Sequence, residues 1–112
     1  MKRIDAVIRP AKLNEVKDRL HVLGVTGLTV FEVRGFGRQK GHTETYRGTE
    51  YALDFTPKLL ISAVVAEEIL QKVVEAICDA ARTGEIGDGK IFVSSLDEVV
   101  RIRTGEKGPI AI

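Results

Sequence analysis

The chain has 112 residues, 44% hydrophobic and 29% charged, with a formal net charge of +1 and one cysteine. That length sets the expectation of a single domain over 1–112 with a real core. The near-zero charge excludes a bulk field for nucleic acid or anionic membrane, and one thiol excludes an internal disulfide or a cysteine metal cluster, which fits a reducing cytoplasm. The N-terminus MKRIDAVIRP carries charge at once and no apolar run long enough for a secretion signal or membrane span.

From Lys2 to Ile8, Ile4, Ala6 and Ile8 alternate with Arg3, Asp5 and Val7, which predicts a strand ended by Pro10. Leu13, Val16, Leu20 and Leu23, with Glu15, Lys17, Asp18 and Arg19 between them, predict an amphipathic helix closed by Gly24. Leu28 to Phe36, rich in β-branched and aromatic residues, reads as a second strand. Then the pattern stops. From Gly37 to Gly48 there is no apolar periodicity, and the stretch of about 37–55 sets Arg38, Lys40 and Arg47 against Glu44, Glu50 and Asp54, with Tyr46 and Tyr51. A connection longer than ~12–15 residues in a small domain is either a working arm or disordered, so this is the first functional clue. KLLISAVV, Lys58 to Val65, reads as a central third strand because it has little charge. Ile69, Val73, Ala76, Ile77 and Ala80 form the stripe of a second helix, in which Cys78 packs rather than reacts, and Gly84 follows its end. Lys90 to Val93 is a fourth strand, and Val99 to Arg103 a short extended segment before a tail with Gly and Pro.

The order β-α-β-β-α-β plus a short C-terminal strand is the ferredoxin-like α+β arrangement: an antiparallel sheet with two helices on one face and a long loop between strands 2 and 3. The opposite face keeps Val7, Phe31, Val33, Leu60 and Val64, too apolar to stand in water, so a homo-oligomer packed through its sheets is expected.

TGEIGDGKI, Thr83 to Ile91, approaches a P-loop but has Ile91 where the metal-binding hydroxyl belongs and leads from helix into strand, so it is not one. Its three glycines beside Lys90 form either an anion-facing backbone nest or a plain turn. Arg101 and Arg103, two apart in an extended segment, project to one side and need an anion, unless they guard a solvated edge. With the Gly35-x-Gly37-Arg38 turn they make three Gly-plus-basic clusters, which suggest a polyphosphate ligand. Arg34-Gly35-Phe36-Gly37 also matches half of an RNA-recognition signature. The other half is absent, because Arg38, Gln39, Lys40 and Gly41 stand where stacking aromatics belong, so nucleic acid is not expected.

GFGRQKGHTETYRGTEY (Gly35 to Tyr51), ARTGEIGDGKIFV (Ala81 to Val93) and VRIRTGE (Val100 to Glu106) closely resemble three signature stretches of the PII nitrogen-regulatory signal proteins. The resemblance covers essentially the whole chain. It implies a cytoplasmic, non-enzymatic ferredoxin-like homotrimer that binds ATP or ADP in clefts between subunits. By that likeness Gly35, Gly37, Arg38, Gly87, Asp88, Gly89, Lys90, Arg101 and Arg103 surround the nucleotide, with Thr29 and Val64 near base and ribose. It also implies that Gln39 coordinates Mg2+ carried by the ATP phosphates. 2-oxoglutarate then chelates the same ion, with Lys40 and Gly41 beside it and Lys58 on its distal carboxylate. The loop, about 37–55, is the output toward nitrogen-metabolism proteins such as an ammonium transporter, N-acetylglutamate kinase or a nucleotidyltransferase, and a membrane is met only through a transporter. The Gly-rich loop (about 82–90) and the basic C-terminal loop (about 101–109) complete the site. Tyr51 matches a nucleotidylation site and Thr49 the position of a phosphorylated serine; the plain alternative is that both are contact residues. Ser62 departs from the Glu that relatives commonly carry. A slow ATPase, an adenine-nucleotide sensor that ignores 2-oxoglutarate, and a purely structural trimer are the competing expectations.

Overall fold

In the computed structural model the described residues are 1–36 and 55–112, together with the backbone of 44–46 and 49–51. Strand β1 is Lys2–Ile8, helix α1 Leu13–Val22, β2 Thr29–Gly35, β3 Glu44–Tyr46, β4 Thr49–Tyr51, β5 Thr56–Val65, α2 Leu70–Ala81 and β6 Lys90–Ser95. The main sheet has the order β2-β5-β1-β6 with every neighbouring pair antiparallel. Each helix therefore joins two parallel strands across one intervening strand, which is the ferredoxin-like α+β fold.

Alternation decides which face is which. Ile4, Ala6 and Ile8 of β1 and Ile61, Ala63 and Val65 of β5 are buried, and all but Ala63 cluster with Val16 and Leu20 of α1 and Val73, Ile77, Ala80 and Ala81 of α2. Burying one such Ile, Leu or Val side chain stabilises the fold by about 1.5–3 kcal/mol, so this single layer between helices and sheet is the main source of stability. The register places Val7, Leu60 and Phe31 side by side on the other face, with Val33 next to Lys58. There Phe31 and Phe92 remain 46% and 54% exposed. The apolar second face expected from the sequence is present.

Local chemistry sets the helix ends. Pro10 opens a short 3-10 turn before α1, where its missing N–H is no loss. At the other end the Val25 N–H donates to the Leu20 carbonyl and the Gly24 N–H to that of His21, with Gly24 at φ +88. This is a Schellman closure, which favours glycine at that position.

Two sequence expectations change. The segment about 37–55 is not without secondary structure, because β3 and β4 pair antiparallel with Tyr46 opposite Thr49 and Glu44 opposite Tyr51. Thr45, Tyr46, Thr49 and Tyr51 are strong strand formers, and their polar partners hid the pattern from an apolar count. The C-terminal segment also falls short of a strand. Only Val100 pairs, with Lys107, and 102–104 form a turn rather than extended chain.

Candidate functional site

Gly35, Lys58 and the Gly-rich turn, three of the features singled out by sequence, meet at the end of the sheet where β1 and β2 finish and β5 and β6 begin. Gly35 pairs with Thr56 at the root of the long connection, and Phe36 and Phe55 continue the two stems with ring centroids 5.5 Å apart. Two residues into β5, Lys58 lies beside Val33, only 6% exposed, on the face away from the helices. Its Nζ donates to the carbonyl of Gly87, which links the loop stem to the Gly-rich turn. Among the described residues no carboxylate pairs with this ammonium. Burial first, and then the neighbouring Arg9 charge, hold its pKa below the usual lysine range, with Asp88 opposing them.

Asp88 organises the Gly-rich turn. Its Oδ2 accepts from the N–H groups of Thr83 (2.8 Å) and Gly84 (2.9 Å), and its Oδ1 accepts from the Thr83 hydroxyl (2.5 Å) and Arg9 Nε (3.0 Å). Those bonds, the Thr83 hydroxyl foremost, hold its pKa well below the ordinary carboxylate range, with burial opposing them. Arg9 also donates through NH2 to the Ile86 carbonyl at 3.0 Å, so it binds two points of the turn to the end of β1. Gly84, Gly87 and Gly89 all have positive φ, which lets the chain turn back tightly enough for Gly89 to pass against the Val7 carbonyl.

Lys58 and Arg9 both lie against Gly87, and Asp88, paired with Arg9, offsets part of their charge. Among the described residues no three His, Cys, Asp or Glu side chains gather to hold a metal.

The remaining site residues lie elsewhere. Thr29 and Val64, with Ser62, line a groove of about 510 Å³ that Val99, Pro109, Ala111 and Ile112 close from the C-terminal side. Thr29 is in β2 and Lys90 in β6, the two opposite edges of the sheet, three strand spacings or about 14 Å apart. Thr29 and Lys90 therefore do not come together within one chain. Arg101 and Arg103 do not share one side of an extended segment. The turn 102–104 separates them, and Gly105 at φ +73 lets its N–H reach the Arg101 carbonyl at 2.7 Å. Arg101 NH1 meets Glu106 Oε1 at 2.9 Å, so the anion that sequence asked for is partly supplied by the chain itself. Gly37, Arg38, Gln39, Lys40 and Gly41 lie outside the described residues, as do the side chains of Thr49 and Tyr51.

Sequence reasoning missed Arg9, Thr83 and Glu106. Arg9 is a lone basic residue before Pro10 and gives no signal. Thr83 lies inside the segment that was read for its glycines and Lys90 alone. Glu106 was legible as an opposite charge across a Thr-Gly turn.

The fold is that of a small ferredoxin-like module, with Lys58 and Arg9 beside the Gly-rich turn at the root of a long connection. A model of the family described as nitrogen regulatory protein P-II matches residues 1–106. Relatives named nitrogen regulatory protein P-II in Azospirillum brasilense and Rhizobium meliloti are each 60% identical over 112 residues, all of both chains. One from Rhizobium etli is 61% identical over 106 residues, 95% of each chain. The chain belongs to the P-II nitrogen regulatory family. Its relatives carry the name of regulators of nitrogen metabolism, not of enzymes. No helix among the described residues is long and apolar enough to cross a membrane.

Proposed function

We propose that the chain is a cytoplasmic sensor. It binds ATP or ADP between subunits of a homotrimer, binds 2-oxoglutarate only with Mg-ATP, and reports occupancy through residues 37–55 to nitrogen-metabolism proteins. Candidates for these are an ammonium transporter, N-acetylglutamate kinase or a nucleotidyltransferase. The observation that carries this reading is the buried Lys58 ammonium, without a carboxylate partner, at the junction of loop stem and Gly-rich turn. A buried cation in that state gains from a ligand carboxylate, because the pair relieves both the desolvation of Lys58 and its repulsion from Arg9.

The separation of Thr29 and Val64 from Lys90 supports shared clefts, since a neighbouring subunit supplies the missing half. The exposed Phe31 and Phe92 support association through the open face of the sheet. In this reading Gly35, Gly37, Arg38, Gly87, Gly89, Lys90, Arg101 and Arg103 surround the phosphates, while Asp88 shapes the turn that presents its N–H groups. Gln39 helps hold the ion, and Lys40 and Gly41 flank the 2-oxoglutarate. Tyr51 is the nucleotidylation candidate and Thr49 the lesser phosphorylation candidate.

The test is calorimetric titration of 2-oxoglutarate into the protein with Mg-ATP, with Mg-ADP and with no nucleotide. Saturable binding with Mg-ATP alone is expected. Equal binding in all three conditions, or none in any, overturns the metal-bridged sensor, and in the second case retained ATP binding leaves an adenine-nucleotide sensor.

A further inference from the structure

Among the described residues, the three cations assigned to phosphates are not equivalent. Lys90 and Arg103 have no carboxylate partner, whereas Arg101 has Glu106 at 2.9 Å. Arg101 NH2 also donates to the Ile110 carbonyl at 3.0 Å. The carboxylate is held in place by its backbone: the Arg101 N–H donates to the Glu106 carbonyl at 2.9 Å, the Glu106 N–H to the Thr104 hydroxyl at 3.2 Å, and Val100 pairs with Lys107 beyond them. The two side chains are 35% and 36% exposed, so an anion that reaches Arg101 from solvent also meets the charge of Glu106.

We propose that Glu106 is a built-in counter-anion that sets the affinity of the Arg101 phosphate subsite. It offsets part of the field of Arg101, and its repulsion grows with the charge that an anion brings to the subsite. The inference rests on the reading that Arg101 faces a nucleotide phosphate. It adds that Glu106 weakens binding through its charge, and that its acceptor oxygen contributes little by orienting Arg101. A ligand phosphate a few ångströms beyond the guanidinium feels Glu106 as a like charge at roughly 4–6 Å. In partly exposed surroundings this lowers affinity by about three- to tenfold at low salt.

The experiment is titration of ATP and AMP into wild type, Glu106→Gln and Glu106→Ala at low and high ionic strength. Glu106→Gln keeps an oxygen acceptor for NH1 and removes only the charge. The expected result is tighter ATP binding by both variants at low salt, a smaller gain for AMP, and convergence with wild type at high salt as screening removes the repulsion. If wild type binds ATP and Glu106→Gln binds it equally or more weakly, the counter-anion role is overturned while nucleotide binding stands. Weaker binding by Glu106→Ala with no change in Glu106→Gln overturns it in favour of orientation. If neither wild type nor the variants bind ATP, this inference and the sensor reading fall together.

Discussion

Replacing Gly89 with alanine tests the packing that places the Gly-rich turn. Gly89 has φ +105, and a Cβ built there comes 1.7 Å from the Val7 carbonyl oxygen. Val7 cannot yield, because it is in the central strand β1, paired with Leu60 on one side and Lys90 on the other. The clash is therefore relieved by lifting the start of β6. The backbone strain of a non-glycine residue at this φ is about 1–3 kcal/mol, and loss of one or two ladder hydrogen bonds adds about 1 kcal/mol each. The expected destabilisation is about 2–5 kcal/mol. Gly84→Ala is the control: its φ is +90, but nothing lies within 4 Å of the added Cβ, so only the strain of about 1–2 kcal/mol applies. Urea unfolding of wild type and both variants at one protein concentration separates the cases, since a constant concentration removes any contribution from association. A Gly89→Ala loss no larger than that of Gly84→Ala would refute the claim that close approach to Val7 fixes this turn.

Under the proposed function, Lys58→Ala is expected to abolish 2-oxoglutarate binding measured by calorimetry while ATP binding stays within a few-fold of wild type; equal loss of both contradicts the role given to Lys58. Asp88 bears on acid stability. Its carboxyl, hydrogen-bonded most strongly by the Thr83 hydroxyl, titrates below the ordinary range, so its contribution is complete above about pH 4 and is lost as pH falls toward the depressed value. Asp88→Asn therefore flattens the fall of stability between about pH 4 and 2 in acid titrations followed by circular dichroism, and parallel curves for variant and wild type count against it. In the proposed homotrimer, Phe31→Glu places a charge on the open face and is expected to convert the assembly to smaller species in sedimentation velocity; an unchanged sedimentation coefficient rules that face out as the interface.

The sequence by itself determined the six elements of the main fold, through local signals that differ from one element to the next: alternation, helical stripes, β-branched composition and shortage of charge. Alternation fixed β1 over Lys2–Ile8 without error, and the charge-free run put β5 in the middle of the sheet. The leftover apolar residues Val7, Phe31, Val33, Leu60 and Val64 mark a second apolar face on alternation alone. These are local patterns, and local patterns survive without knowledge of neighbours.

Tertiary structure alone decided what touches what. Lys58 reads as one polar residue at a strand start; only the juxtaposition of β5 with the turn after α2 makes it a buried cation against Gly87. Arg9 acquires its role because β1 ends next to the same turn, 79 residues away in sequence from Asp88. Arg101 and Arg103 read as an extended pair until the turn at Gly105 folds Glu106 back onto one of them. Long-range contacts of this kind depend on strand order and turn conformation, which a one-dimensional pattern does not encode.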